Sequence, residues 1–346
     1  MKKMLAVVLA VLMVLSMAAC SGSSAPAATE APAAAAPAAT EAPAAEAPAE
    51  APAAEKYVVG VCQLVPHAAL DAATQGFVDK LTELLGADNV EIQVKVAAGD
   101  SATCAPIVTD FVSQEVDLIM ANATPALQAA AAATADIPIL GTSVTEYGVA
   151  MDIADFNGTV GGNISGTSDL APLDQQAAMV KAWCPDAKTV GLLYCSAEPN
   201  SQYQVDTVQK YLEEMGFTCT QYPFADSNDM SAVTQTACDN SDVIYVPTDN
   251  TVAAGTGIID GICQPAGVPV IAGAAGICSG CGIATLSISY YDLGVKTAEM
   301  AAQILTGEAD VSTMPVAYAD NVTPKYNAAI CEALGITPLE GYEAIG

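Results

Sequence analysis

Small hydroxyl, amide and carboxylate side chains recur in this sequence directly after short apolar runs of β character. Gln63-Leu64-Val65-Pro66-His67, Asn122-Ala123-Thr124-Pro125-Ala126 and Gly141-Thr142-Ser143-Val144-Thr145 each follow such a run. Later in the chain Tyr194-Cys195-Ser196, Pro247-Thr248-Asp249-Asn250 and Ala272-Gly273-Ala274-Ala275-Gly276 take the same places. Groups of this kind hold small molecules. Hydroxyls and the free N–H groups of helix starts bind a carboxylate, an acid such as Asp249 binds an amine, and Tyr194 or Tyr290 can wall an apolar body. Structural roles compete with this reading. Thr124 and Asp249 are good helix caps, His67 reads equally well as a loop histidine, and Tyr290 and Tyr291 as helix-face packing.

The same inventory is poor in catalytic chemistry. The chain has one histidine, and no Ser/His/Asp order, phosphate-binding glycine loop or metal-ligand cluster stands out. General base catalysis would fall to a carboxylate, and no paired carboxylates follow a strand. The reading is a binder with no catalytic residues, no cofactor and no metal. Ten cysteines follow Cys20, and most sit inside apolar stretches, where free thiols pack as small hydrophobes. Cys278-Ser279-Gly280-Cys281 is the one close pair. A redox pair should open a helix, whose dipole lowers the thiol pKa, whereas this pair leads into the strand-like Gly282–Leu286. A local disulfide or inert thiols, redox chemistry and metal binding all stay open for it.

The elements that must position these groups alternate. Strands are expected at Tyr57–Cys62, Val90–Val96, Val116–Met120 and Ile137–Leu140, with helices at Ala68–Leu85, from Ser101 to about Gln114, and from Thr124 with Pro125 at its first position. After the glycine-rich Gly158–Gly166 a second succession begins. Its helices are Pro172–Trp183, Gln202–Met215, Asp229–Cys238 and Asn250–Cys263. Its strands are Thr189–Tyr194, Phe217–Tyr222, Asp242–Val246, Val268–Ile271 and Ile283–Leu286, and the helix Tyr290–Leu305 follows. Alternation of this kind builds parallel sheets. The fold class is therefore α/β, two Rossmann-like lobes facing a cleft at the C-terminal strand ends.

The N-terminus reads as an address. Lys2 and Lys3 precede the apolar run Met4–Leu15, which is short for a membrane span, and Ser16-Met17-Ala18-Ala19 leads to Cys20. This is the pattern of a lipoprotein signal over residues 1–19 with lipid on Cys20, hence a location on the extracytoplasmic face of a cell membrane. Residues 20–55 are an Ala/Pro/Glu-rich tether, which at about 3.1 Å per residue reaches on the order of 100 Å. From Tyr57 onward lie seven lysines, no arginine and 34 acidic residues. Nucleic acid is excluded as a partner, because phosphate binding needs a basic surface. An acidic ligand must be held without a guanidinium fork.

Six segments together resemble one known family: His67–Ala72, Ala121–Ala126, Gly161–Leu170, Glu198–Ser201, Tyr245–Asn250 and Tyr290–Gly294. The chain from Tyr57 to about Thr337 is similar to the substrate-binding proteins of ABC transporters of the tryptophan/tyrosine type. The resemblance implies a lipoprotein of type I periplasmic-binding architecture with a hinge. It also implies aromatic amino acids or related compounds as ligand, permease subunits as partners, and a monomer. It places Thr124, Ser143, Thr145, Ser168, Asp169, Asn200, Ser201, Thr248, Asp249 and Asn250 on the cleft. With His67, Asn122, Pro125, Tyr194, Gly273, Ala274 and Tyr290 from the strand ends, these are the candidate ligand-binding residues. The lobes are expected to comprise 57–165 with about 277–310, and about 166–276 with about 311–340. Ala274, Ala275 and Ser289 replace acids usual in the family, which removes partners for a ligand amine. A sensory receptor of the same fold and a thiol redox protein using Cys278 and Cys281 are the alternatives.

Overall fold

The computed structural model describes residues 56–345. The signal peptide, lipidation at Cys20 and tether expected over residues 1–55 lie outside them. The first succession is β1 (Tyr57–Gln63), α1 (Ala68–Leu85), β2 (Val90–Val96), α2 (Ser101–Ser113), β3 (Leu118–Asn122), α3 (Thr124–Ala133), β4 (Ile139–Val144), α4 (Tyr147–Ala150) and β5 (Ile164–Ser168). The second is α5 (Leu173–Trp183), β6 (Thr189–Cys195), α6 (Pro199–Glu214), β7 (Thr218–Phe224), α7 (Ser227–Asn240), β8 (Val243–Val246), α8 (Asn250–Ala254), α9 (Thr256–Ala266), β9 (Val270–Ala272), α10 (Ala275–Cys281) and β10 (Ala284–Ser287). Then come α11 (Tyr290–Leu305), a 3-10 turn at Val311–Thr313, β11 (Ala317–Tyr318), β12 (Thr323–Tyr326), α12 (Ala328–Leu334) and β13 (Glu343–Ala344).

The strands form two sheets, ordered β11-β5-β4-β3-β1-β2 and β13-β12-β10-β9-β8-β6-β7. Read from β2, the first sheet runs 2-1-3-4-5. Read from β7, the second repeats that order with β6 as its first strand. This is a doubly wound order, and it places a crevice where connections leave the sheet in opposite directions, between β1 and β3 and between β6 and β8. The only antiparallel pairing between named strands is β10 with β12.

The two-residue period of the strands sorts the core. Val59, Val61, Leu118 and Met120 face Phe77 and Leu81 of α1 and Ala298 and Ala301 of α11. Cys62, Ile119 and Ala121 face Val108 and Phe111 of α2 and Leu127 of α3. In the second sheet Leu193, Cys195, Ile244 and Val246 face α7, α9 and α10, while Val190, Leu192, Tyr194, Val243 and Tyr245 face α5 and α6. Each large apolar side chain buried this way contributes about 1.5–3 kcal/mol.

Helices α1 and α11 touch backbone to backbone on the first sheet. A Cβ on Gly76 would lie 2.1 Å from the Tyr291 carbonyl oxygen, and one on Gly294 would lie 2.0 Å from that of Ala73. Both helices point their N-terminal ends at the other lobe, where Ala73, Tyr290 and Leu293 join the core of the second sheet.

Three expectations need correction. Ala284–Ser287 pairs with β9 and β12 in the second sheet, and Ile164–Ser168 and Ala317–Tyr318 belong to the first. The chain therefore crosses between sheets after β5, after β10 and after β11. The reason is topological: β10 is the fifth strand of the repeated winding order and cannot leave its sheet. The helix expected over Asn250–Cys263 breaks at Gly255, whose N–H closes on the Val252 carbonyl at 2.8 Å. Thr124 lies inside α3, and its side chain makes no cap. Cys278 lies midway along the short helix α10 and Cys281 ends it, and the pair leads into β10 as expected.

Candidate functional site

In the first lobe, strand ends β1, β3, β4 and β5 supply the polar groups. Asn122 pins the start of α1 by donating Nδ2 to the Leu70 carbonyl at 2.9 Å and to Thr74 Oγ1 at 3.0 Å. Thr74 in turn donates to Gln63 at 2.6 Å, and Gln63 to Asp71 at 2.6 Å. The turns beyond β3 and within β4 are strained. Ala123 sits at φ 94° and Ser143 at φ 54°, conformations that non-glycine residues rarely adopt. Such strain costs of order 1–3 kcal/mol each, and it clusters at binding sites. Ser168 donates Oγ to the Thr145 carbonyl at 2.8 Å and accepts from the Leu170 N–H at 3.1 Å, which fixes the entry to Asp169.

In the second lobe a buried carboxylate organises the ends of β6 and β8. Glu198 accepts from the Asn250 N–H and amide at 3.0 and 2.7 Å, and from the Thr251 N–H and hydroxyl at 2.9 and 2.8 Å. It thereby caps α8 from another segment. Asp249 completes the cap, accepting from Val252 N–H at 2.9 Å and from Cys195 N–H at 2.7 Å. Burial first, and then the Glu198 charge, push the Asp249 carboxyl up to about 8. Asn200 donates to the Thr248 carbonyl at 3.1 Å. Gly273 must be glycine, since a Cβ there would lie 2.6 Å from the backbone of Pro247 and Thr248.

Two contacts border the space between the lobes, and the first of them joins one lobe to the other. His67 Nε2 meets Asn250 Oδ1 at 3.2 Å. The Asn250 amide nitrogen already donates to Glu198, so its oxygen accepts here and His67 carries its proton on Nε2. That leaves Nδ1 to accept from the Leu70 N–H at 3.5 Å and cap α1. Burial lowers the His67 pKa, in keeping with this neutral tautomer. The Tyr290 hydroxyl donates to Asp169 Oδ2 at 2.8 Å. Asp169 is 4 % exposed, and burial raises its pKa against the opposing Tyr290 hydrogen bond.

The resulting cavity is about 40 Å³, and His67, Asp169, Thr248, Asp249, Asn250, Ala274 and Tyr290 line it. One water needs only about 10–15 Å³. Buried polar atoms with no hydrogen-bond partner stand at the strand ends, Asp169 on the cavity and the others outside its lining: the hydroxyls of Thr124, Ser143 and Thr145, Asp169 Oδ1, and the amide oxygens of Asn122 and Asn200; Trp183 Nε1, Asp260 Oδ1 and Thr285 Oγ1 are unpartnered elsewhere. Thr145 stands near enough to favour the charged form of Asp169 without a well-formed hydrogen bond. Unpartnered buried groups are few in folded proteins and need a cause. Here six of them gather at the ends of facing strands.

Of the sequence-predicted residues, Tyr194 is elsewhere. Strand alternation turns it onto the α5–α6 face, where its hydroxyl donates to Gln202 and Gln221 at 2.7 and 2.9 Å. Pro125, Ser168, Ser201 and Gly273 are not on the cavity lining. Sequence reasoning missed the apolar wall of Leu70, Ala253 and Ile277, which carries no local signal. It also missed the capping role of Glu198, whose partners lie 52 and 53 residues away. The Cys278 and Cys281 thiols point to the carbonyls of Gly282 and Ile277, and burial raises both well above the usual thiol range. That is the reverse of redox activation.

Comparisons with known proteins fit this geometry. Residues 58–342 match the family described as ABC transporter substrate binding protein. The tyrosine-binding protein of Clostridioides difficile (strain R20291) is 34% identical over 283 residues, 81% of each chain. The ABC domain from Streptococcus pneumonia in complex with L-Trp is 32% identical with TM-score 0.80, covering 84% of this chain and all of the other. A substrate-binding protein with adhesive properties from Clostridium difficile, ligand-free and open, is 37% identical but superposes at only 0.64, covering 84% and 99% of the two chains. This chain thus overlays better on the ligand-bound structure than on the open one that is nearer in sequence, as the His67–Asn250 contact between the lobes leads one to expect. With the type I periplasmic-binding architecture, the chain belongs to the family of ABC transporter substrate-binding proteins.

Proposed function

We propose that this chain is the extracytoplasmic, lipid-anchored binding component of an ABC importer, and that it captures an amino acid, aromatic foremost, between its lobes. The six unpartnered polar atoms carry this reading. Asp169 Oδ1 takes one N–H of the ligand ammonium. The Thr124, Ser143 and Thr145 hydroxyls take its carboxylate, a role that falls to neutral donors where the chain has no arginine and no lysine lines the cavity. Leu70, Ile277 and Tyr290 pack the apolar body. The tyrosine-binding and L-Trp-bound relatives support the ligand class. Ligand entry requires the His67–Asn250 contact to part, with the three chain crossings as hinge. The closed form, a monomer tethered through Cys20, then docks on permease subunits. No bond is made or broken.

The test is calorimetry with L-tyrosine, L-tryptophan and L-phenylalanine against tyramine and phenylpropionate, which lack the carboxylate and the amine. The amino acids bind and both truncated analogues lose at least about tenfold, as for one lost charge-assisted hydrogen bond. Equal binding of phenylpropionate, or binding of a sugar in place of every amino acid, would refute the assignment.

A further inference from the structure

We propose that Cys238 and Cys263 are a convertible thiol pair that, once oxidised, ties α7 to α9 and closes a covalent loop around the ligand-contacting segment of the second lobe. Both thiols are free and buried, and their sulfurs stand 3.1 Å apart. That is closer than unbonded carbon atoms settle, and a disulfide at about 2.05 Å needs an approach of only about 1 Å. Cys238 can supply it, because it lies in the last turn of α7, two residues before the helix ends at Asn240. It is also the more accessible partner, at 7 % against 1 % for Cys263. The pair is tertiary in origin, joining residues 25 apart. Cys278 and Cys281, close in sequence, address backbone carbonyls instead.

The reaction is thiol–disulfide exchange with a small disulfide of the cell exterior. The Cys238 thiolate attacks one sulfur of the incoming disulfide, breaks its S–S bond and releases one thiol. The Cys263 thiolate then attacks Cys238 Sγ and expels the second. The two protein thiols give up two electrons and two protons, and the disulfide is reduced to two thiols. The hydrogen bond from Cys263 lowers the Cys238 thiol, which agrees with Cys238 as first nucleophile. The closed loop holds β8, the Thr248–Asn250 turn and α8, so oxidation stiffens the segment that presents Asp249 and Asn250 to the cleft. The inference is independent of which ligand binds.

The full-length protein is treated with oxidised glutathione or with dithiothreitol, digested with pepsin without reduction, and mapped by mass spectrometry. The expected product is a linked Cys238–Cys263 peptide, lighter by the two hydrogens lost. The melting midpoint should be higher by roughly 5–10 °C, as a crosslink closing a loop of this length gives in a protein of this size. Dithiothreitol reverses both. Cys278→Ser retains the linked peptide, whereas Cys263→Ser accumulates the glutathione adduct on Cys238. The proposal is overturned if both thiols alkylate fully on unfolding after oxidation, or if wild-type Cys238 stops at the glutathione adduct.

Discussion

Replacing Asp169 by asparagine separates a residue kept for ligand from one kept for stability. One Asp169 carboxylate oxygen accepts the Tyr290 hydroxyl at 2.8 Å and the other is buried without a partner. An asparagine oxygen can still accept from Tyr290, and the change removes a buried charge whose desolvation already raises its pKa. The folded protein should therefore hold or gain stability, with a melting midpoint no lower than wild type. Binding should suffer, because a charge-assisted hydrogen bond to an ammonium contributes about 1.5–3 kcal/mol. That corresponds to roughly 10- to 150-fold in Kd. Titration calorimetry with L-tyrosine or L-tryptophan reads the affinity, and scanning calorimetry reads the stability of the same samples. Binding within twofold of wild type would refute the role given to Asp169. A variant that melts much lower would show that the carboxylate is structural. A second readout follows from the raised pKa. Ligand binding favours ionised Asp169, so at a pH low enough to protonate part of the free carboxyl complex formation releases protons, and the apparent enthalpy there should vary with buffer ionisation enthalpy in wild type but less in Asp169→Asn.

The other predictions use the same logic. Thr124→Val and Thr145→Val replace buried, unpartnered hydroxyls by methyl groups; melting should move by less than about 1 kcal/mol in stability while ligand affinity falls several-fold, and a large loss of stability would show that the hydroxyls have partners in the folded protein. Gly294→Ala drives a Cβ to 2.0 Å from the Ala73 carbonyl oxygen, and forced separation of α1 from α11 should cost at least about 2–3 kcal/mol in urea unfolding; an unchanged midpoint would contradict the close crossing. Asp249, pushed up to about 8, keeps its proton in the folded chain after the unfolded chain has lost it. The folded state then binds more protons, so stability falls as pH rises from about 6.5 to 8, by about 1 kcal/mol per pH unit for one group. His67, whose folded pKa is lowered, opposes this near pH 6.5, where the unfolded histidine still binds protons, and contributes little above about pH 7.5. Glu198→Gln removes the neighbouring charge and should flatten this slope in urea midpoints measured across the window.

The sequence alone determined the class of fold and where ligand groups would lie. Alternating apolar runs and helical periods can bury their faces only as layered α/β lobes, and doubly wound sheets put small polar residues at strand ends. Hence Asp169, Thr248, Asp249, Asn250 and Tyr290 were found from local pattern and family motif together. Only the tertiary structure decided which of these groups meet. The two-residue strand period turned Tyr194 into the core while its neighbour Cys195 met Asp249. His67 became an interlobe bridge through Asn250, and Glu198 became the cap of a helix that starts 52 residues later. It also decided the return of β10 to the second sheet and the proximity of Cys238 to Cys263. Such pairings depend on chain closure over long separations, and their energy comes from desolvating both partners at once. A linear pattern of residue types carries the first partner of each pair but not the distance to the second.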